Sequence, residues 1–236
     1  MSDKKDARHR GKSKEKSGKR PALVLVFGED ENDTKSIREL IESLREDLVG
    51  RVQTRRDPLV LIKDAKPEDV PERARKIADA VDISRATHDI VCVFAHEDRD
   101  DFEPKHEETC KKIEEALAKA GCTAHAVVPA WELEAWWFMW PEAVHAVRPK
   151  SWRAPDDYVG KEVGRIKDAK EELKKKVVPK DLKPEKRKSF QTYEESDSPA
   201  IARQVREKNL ARDPRAKSAS YSRFLASVEQ CKLEKR

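Results

Sequence analysis

Ile90-Val91-Cys92-Val93-Phe94-Ala95, followed at once by His96-Glu97-Asp98-Arg99-Asp100-Asp101, is the stretch that decides the fold. An unbroken apolar run too short for a helix and rich in Val and Ile reads as a strand covered on both faces, as in a parallel sheet. It discharges into four carboxylates among six residues, flanking one arginine. Ligands of open α/β sheets sit outside the carboxyl ends of the strands, and clustered acids repel unless a cation offsets them. The stretch therefore predicts a strand that ends at a metal site.

Upstream, Ala22-Leu23-Val24-Leu25-Val26-Phe27 is a second such run and reads as the first strand. A polar turn, Gly28 to Thr34, follows it, with Asp33 or Thr34 as the N-cap of a helix whose apolar face is Ile37, Leu40, Ile41, Leu44 and Leu48. Pro58 to Ile62 reads as the second strand, and Val70, Ala74, Ile77, Ala78 and Val81 mark a second helix. Downstream, a helix from about His106 to Ala120 ends at Gly121, and Cys122 to Val128 reads as a fourth strand. Strands alternating with helices imply βαβ crossovers and a parallel sheet.

The block Trp131 to Trp140 holds four of the five tryptophans and reads as a core helix covering that sheet. Glu134 is embedded in it, where an unpaired carboxylate is costly without a metal or a basic partner. Beyond Pro149 the composition turns charged: 161–176 reads as a solvated helix, and 161–190 shows no core. Ile201, Val205, Leu210, Tyr221, Phe224, Leu225 and Val228 then mark two helices returning to the α/β part. The expected organisation is a disordered basic arm at 1–20, an α/β domain at 21–148 and a mainly helical extension at 149–236.

Charged residues make up 41% of the 236, and the net charge is +5. Residues 1–20 carry nine Lys/Arg against three acids and too little apolar surface to fold alone. No apolar segment follows that arm as in a signal peptide, and no run is long enough to span a membrane. Cys92, Cys110, Cys122 and Cys231 form no C-x-x-C pair and read as free thiols in a reducing cytoplasm.

Glu29 after the first strand, Asp98 and Asp100 after the third, and Glu134 after the fourth are expected to converge at one sheet edge. Hard oxygen ligands of this kind suit Mg²⁺ or Mn²⁺. A glutamate after the first strand and a D-x-D after the third, on a parallel α/β sheet, resemble the Toprim fold of topoisomerases, primases and the OLD-type and RloB-like nucleases. Glu132-x-Glu134-Ala135-Trp136 and Ser218-x-Ser220-x-x-Arg223-Phe224 are similar to blocks of an uncharacterised Toprim-clan family of bacterial proteins. The likeness spans about 22–145 plus the short C-terminal block.

The resemblance implies Mg²⁺-dependent phosphodiester hydrolysis in a phage-defence setting. Asp98, Asp100 and Glu29 would hold the ion, Glu134 would hold or position a second, and His96 would orient a water or the leaving oxygen, unless it is simply bonded to backbone. It also implies DNA or RNA as the substrate, met by Lys35, Arg38, Arg99, Lys161, Lys167 and the basic arm. An ATPase or a second copy of the chain is the partner to expect. One departure stands out: the usual V-E-G signature is here Val26-Phe27-Gly28-Glu29, with Phe27 at the glutamate position. Either Glu29 or Glu31 takes over, or the site is impaired. The second reading is then a non-catalytic protein that binds nucleic acid or a partner on the same scaffold. A receiver-like domain fits less well, because no lysine closely follows Val128.

Overall fold

The chain enters its sheet at Ala22–Phe27 (β1), where the first apolar run predicts a strand. The structure, a computed structural model, describes residues 20–28, 30–56, 61–98, 101–183, 185 and 189–233. Asp89–His96 (β3) is the long strand beside β1, and His125–Val127 (β4) pairs with its far edge. With Val52–Arg55 as β2, the order is β2-β1-β3-β4 and every pairing is parallel, so the α/β class with a helix-flanked parallel sheet is as expected.

The second strand is a correction. It is Val52–Arg55 (β2), paired with β1 from Val24↔Val52 to Phe27↔Arg55 and lying ahead of the expected Pro58 to Ile62 run. Residues 57–60 lie outside the described residues, and Leu61 and Ile62 are not in a strand. Their amides, with that of Lys63, are taken instead by the Glu97 carboxylate at 2.6, 2.8 and 2.9 Å. An edge strand with only one face covered needs no apolar run, which is why Val52-Gln53-Thr54-Arg55 was hidden.

Alternation along β1 and β3 splits the core in two. Leu23, Leu25, Phe27, Val93 and Ala95 face Val70–Arg85 (α2) and His106–Lys119 (α3). Val24, Val26 and Phe94 face Glu31–Leu44 (α1), whose Ile37, Leu40 and Ile41 are fully buried. Each such side chain contributes roughly 2 kcal/mol by leaving water. The same core continues through the short helices Glu134–Trp137 (α4) and Pro141–Val147 (α5) into Ser198–Glu207 (α7) and Ala219–Gln230 (α8). Arg206 of α7 pairs with Glu39 of α1 at 3.0 Å, and also with Glu42.

Within the aromatic block only Glu134–Trp137 is helical, and α5 begins after it at Pro141, so the block is not one helix. Its three fully buried indoles are satisfied: Trp136 donates to Ser220 Oγ (3.0 Å), Trp137 to Ser198 Oγ (2.9 Å) and Trp140 to the Leu210 carbonyl (2.8 Å), whereas the Trp131 indole nitrogen has no hydrogen-bond partner among the described residues. Within 161–176, α-helix forms at Ala169–Lys176 (α6), after a 3₁₀ turn at Val163–Arg165. That stretch does have a core side, since Val163, Ala169, Leu173 and Val177 are fully buried.

The cysteines need a further correction. Cys92 of β3 and Cys231, just past α8, form a disulfide across 139 residues, while Cys110 and Cys122 are free and buried. No spacing rule pairs two cysteines brought together only by the return of α8 to the sheet. No helix among the described residues is long and apolar enough to cross a membrane.

Candidate metal centre

The strand order reverses its direction of winding between β1 and β3, and the site lies at their carboxyl ends, where such a sheet opens a crevice. Gly28 directly follows β1 and lets α1 approach β3 closely: a Cβ there would stand 2.9 Å from Thr34 Cγ2 and 3.3 Å from His96 Cβ. The cap of α1 is Asp30, which accepts from the amides of Asn32 (2.6 Å) and Asp33 (3.2 Å), so neither Asp33 nor Thr34 is the cap. Starting the helix this early leaves the Asp33 carboxylate uncommitted in the first turn. It meets His96 Nε2 at 3.4 Å.

His96 is the last residue of β3 and is buried. Its Nδ1 bonds the Val127 carbonyl at 3.0 Å, which fixes the ring and turns Nε2 toward Asp33 and toward Asp98 Oδ1 at 3.7 Å. Both readings of His96, a backbone-bonded residue and a site residue, therefore hold at once. One ligand atom from each of Asp33, His96 and Asp98 lies within 4.8 Å of the others. Asp98 Oδ1 is buried with no hydrogen-bond partner among the described residues.

The electrostatics follow from crowding in a dry place. Burial opposes charge on His96, but the Asp33 bond and the Asp98 charge outweigh it and push the imidazole up to about 9. Burial raises the Asp98 carboxyl to about 7, against the pull of His96 and with the push of Asp33. Glu134 is raised to about 8, first by burial and then by the Asp33 charge, while a 2.8 Å bond from the Tyr193 hydroxyl pulls the other way.

Of the residues expected from sequence, Asp98 and His96 are together. Glu134 opens α4 close enough to feel the charges of both Asp33 and Asp98, yet it is not one of the three within 4.8 Å. Glu29, Arg99 and Asp100 lie outside the described residues. Lys35 is paired with Glu31 at 2.7 Å and Arg38 lies 3.6 Å from Glu39. Lys167 sits 5.9 Å over the Trp131 ring and Lys161 5.8 Å over Tyr158.

Sequence reasoning missed Asp33 as a site residue, and missed Tyr193 altogether. It also missed Lys63 and Glu132, whose charges reach Asp98. Glu97, by contrast, turns away from the cluster to hold the Leu61–Lys63 amides.

Two carboxylates and one imidazole nitrogen make a mixed oxygen and nitrogen donor set. Mg²⁺ asks for oxygen, whereas Mn²⁺ accepts imidazole beside carboxylate. Asp98 Oδ1, without a hydrogen bond among the described residues, and the His96 ring held by a backbone carbonyl are donors that could serve such an ion. The chain matches no protein-family model, no curated protein and no solved structure.

Proposed function

We propose that this chain is a divalent-metal-dependent phosphodiesterase acting on DNA or RNA, with Asp33, His96 and Asp98 as the residues that hold Mn²⁺ or Mg²⁺. The observation that carries the reading is the meeting of these three ligand atoms within 4.8 Å at the carboxyl ends of β1 and β3. When bound, the ion supplies charge neutralisation at a phosphate.

The chain's own residues divide the remaining work. Val127 O fixes the His96 tautomer with Nδ1 protonated, so that Nε2 presents its lone pair once its proton leaves. Glu134 carries a proton near neutral pH and is oriented by Tyr193, which suits it to give or take a proton at a reacting oxygen. The indole and phenyl of Trp131 and Phe102, 5.2 Å apart beside Lys167, offer a sequence-tolerant surface for a nucleic acid.

A second reading has its own support. Phe27, at the position where the resembled families carry a glutamate, is buried in the core facing α2 and α3. Moreover, a protonated His96 between Asp33 and Asp98 compensates the cluster without any ion. Both observations favour a nucleic-acid-binding or partner-binding protein on this scaffold.

One experiment separates the two. Purified protein is incubated with plasmid, single-stranded DNA and tRNA in Mn²⁺ or Mg²⁺, beside Asp33→Asn and Asp98→Asn, and melting temperature is followed with and without the ion. Cleavage and a metal-induced rise in melting temperature, both lost in the variants, support the hydrolase. Equal background in all three proteins and no metal-induced rise would leave the binding protein.

A further inference from the structure

The segment that leaves β3 carries Asp98 and must be held firmly if that carboxylate is to stay beside Asp33 and His96. Before Asp98 it is tied by the three amide bonds to Glu97. After it, the Asp101 carbonyl accepts from the Trp131 amide at 3.0 Å, and the Glu103 amide donates to the Gly164 carbonyl at 3.1 Å.

The strongest tie is the Glu103 side chain. Its Oε1 accepts from Ser218 Oγ (2.7 Å), Ser220 Oγ (2.8 Å) and the Ser220 amide (2.8 Å), and its Oε2 accepts from the Ala219 amide (2.8 Å). These are the first amides of α8, where an anion also meets the favourable end of the helix dipole. The hydroxyls are fully used: Ser218 Oγ accepts from the Tyr221 amide (3.1 Å) and Ser220 Oγ from the Trp136 indole (3.0 Å). Burial would raise the Glu103 carboxyl, but the amides of Ser220 and Ala219 and the two hydroxyls outweigh it and hold it low. Only an ionised carboxylate accepts four such bonds.

Because Ser218 already caps α8 through Tyr221, Glu103 is not needed for that. Room for it is built in on the other side as well. A Cβ on Gly164 would fall 2.0 Å from Glu103 Cδ.

We propose that Glu103 is a positioning residue: seated in the Ser218-Ala219-Ser220 cradle of α8, its carboxylate locks the segment after β3 and so sets Asp98 against Asp33 and His96. This gives the S-x-S block a role, and it rests on the metal reading of that cluster. The consequence is that ligand geometry on the sheet depends on a helix more than a hundred residues further along the chain.

The test measures Mn²⁺ affinity by calorimetry together with amide exchange in the metal-free protein. It compares wild type, Glu103→Gln, Ser218→Ala, Ser218→Thr, Gly164→Ala and Asp98→Asn. Glu103→Gln, Ser218→Ala and Gly164→Ala are expected to weaken Mn²⁺ binding by about tenfold. They should also speed exchange at the Trp131 and Glu103 amides while Val26 and Phe94 in the sheet keep their protection. Ser218→Thr, which retains the hydroxyl, restores both, and Asp98→Asn abolishes binding.

Wild-type affinity, or wild-type exchange at Trp131 and Glu103, in a folded Glu103→Gln overturns the proposal. If wild type binds no Mn²⁺, the metal reading falls, and the exchange rates alone decide whether Glu103 is the lock. Should Glu103→Gln fail to fold, Ser218→Ala and Gly164→Ala carry the same comparison.

Discussion

Tyr193 donates its hydroxyl proton to Glu134 at 2.8 Å and meets Ser198 Oγ at 2.6 Å. With that proton committed, Ser198 must donate to Tyr193 and accept from the Trp137 indole at 2.9 Å. A relay of donors from α4 and α7 thus ends on one buried carboxylate. At hydrogen-bond distance the burial of Glu134 is met by a tyrosine.

The first expectation concerns pH. Glu134 and Asp98 keep their protons in the folded protein to about 8 and about 7, above their ordinary values of 4.5 and 3.8. Between those limits the unfolded chain ionises and the folded one does not, so stability is lost as pH rises. His96, raised from 6.5 to about 9, acts in the same sense: its contribution is full below 6.5 and gone above about 9. Without divalent ions, urea unfolding should therefore show stability falling from pH 5 to pH 9 by at least ~1 kcal/mol. Glu134→Gln should match wild type near pH 5 and exceed it at pH 8.5, and a slope unchanged by that substitution would count against a proton held on Glu134.

A second expectation tests the close approach of α1 to β3. Gly28→Ala puts a methyl 2.9 Å from Thr34 Cγ2 and 3.3 Å from the His96 side chain. Overpacking of this kind costs about 1–3 kcal/mol. Chemical denaturation should register that loss, and Mn²⁺ affinity should fall with it, because α1 carries Asp33 and β3 carries His96.

The disulfide gives a third. Cross-linking Cys92 to Cys231 closes a loop of 139 residues, worth about 5 kcal/mol by chain entropy. Thiol titration of the unreduced, denatured protein should find two thiols, Cys110 and Cys122. Cys231→Ser or added reductant should lower the melting temperature. Four titratable thiols would rule the bond out.

The fourth concerns Glu97. Removing its carboxylate in Glu97→Ala strands the amides of Leu61, Ile62 and Lys63, at a cost of about 2 kcal/mol. Hydrogen exchange should accelerate at those three positions before any in β1.

These relationships were unevenly visible in the chain. β1 and β3 could be read because strands covered on both faces are apolar throughout, and His96, Asp98 and Glu134 could be read because each follows or interrupts such a run. β2 could not: an edge strand needs one buried face, and the apolar Leu61-Ile62 nearby is bound by a carboxylate and not by a strand. Asp33 was obscured because a helix start offers several acids, and only geometry shows that Asp30 caps while Asp33 is spare. Tyr193 had no local signal at all. Its partner lies 59 residues away, and only the rule that a buried carboxylate needs a donor pointed to something like it.

Every fully buried tryptophan, Trp136, Trp137, Trp140 and Trp152, belongs to the core shared by α1 and the C-terminal helices, and none belongs to the core beneath α2 and α3. Fluorescence from these four therefore watches one side of the sheet, while Trp131, packed against Phe102 just ahead of α3, reports elsewhere. Peeling away α2 and α3 would leave the emission of those four almost unchanged, so in a Trp131→Phe variant an unfolding curve followed by fluorescence alone would miss it, whereas circular dichroism would record the lost helix.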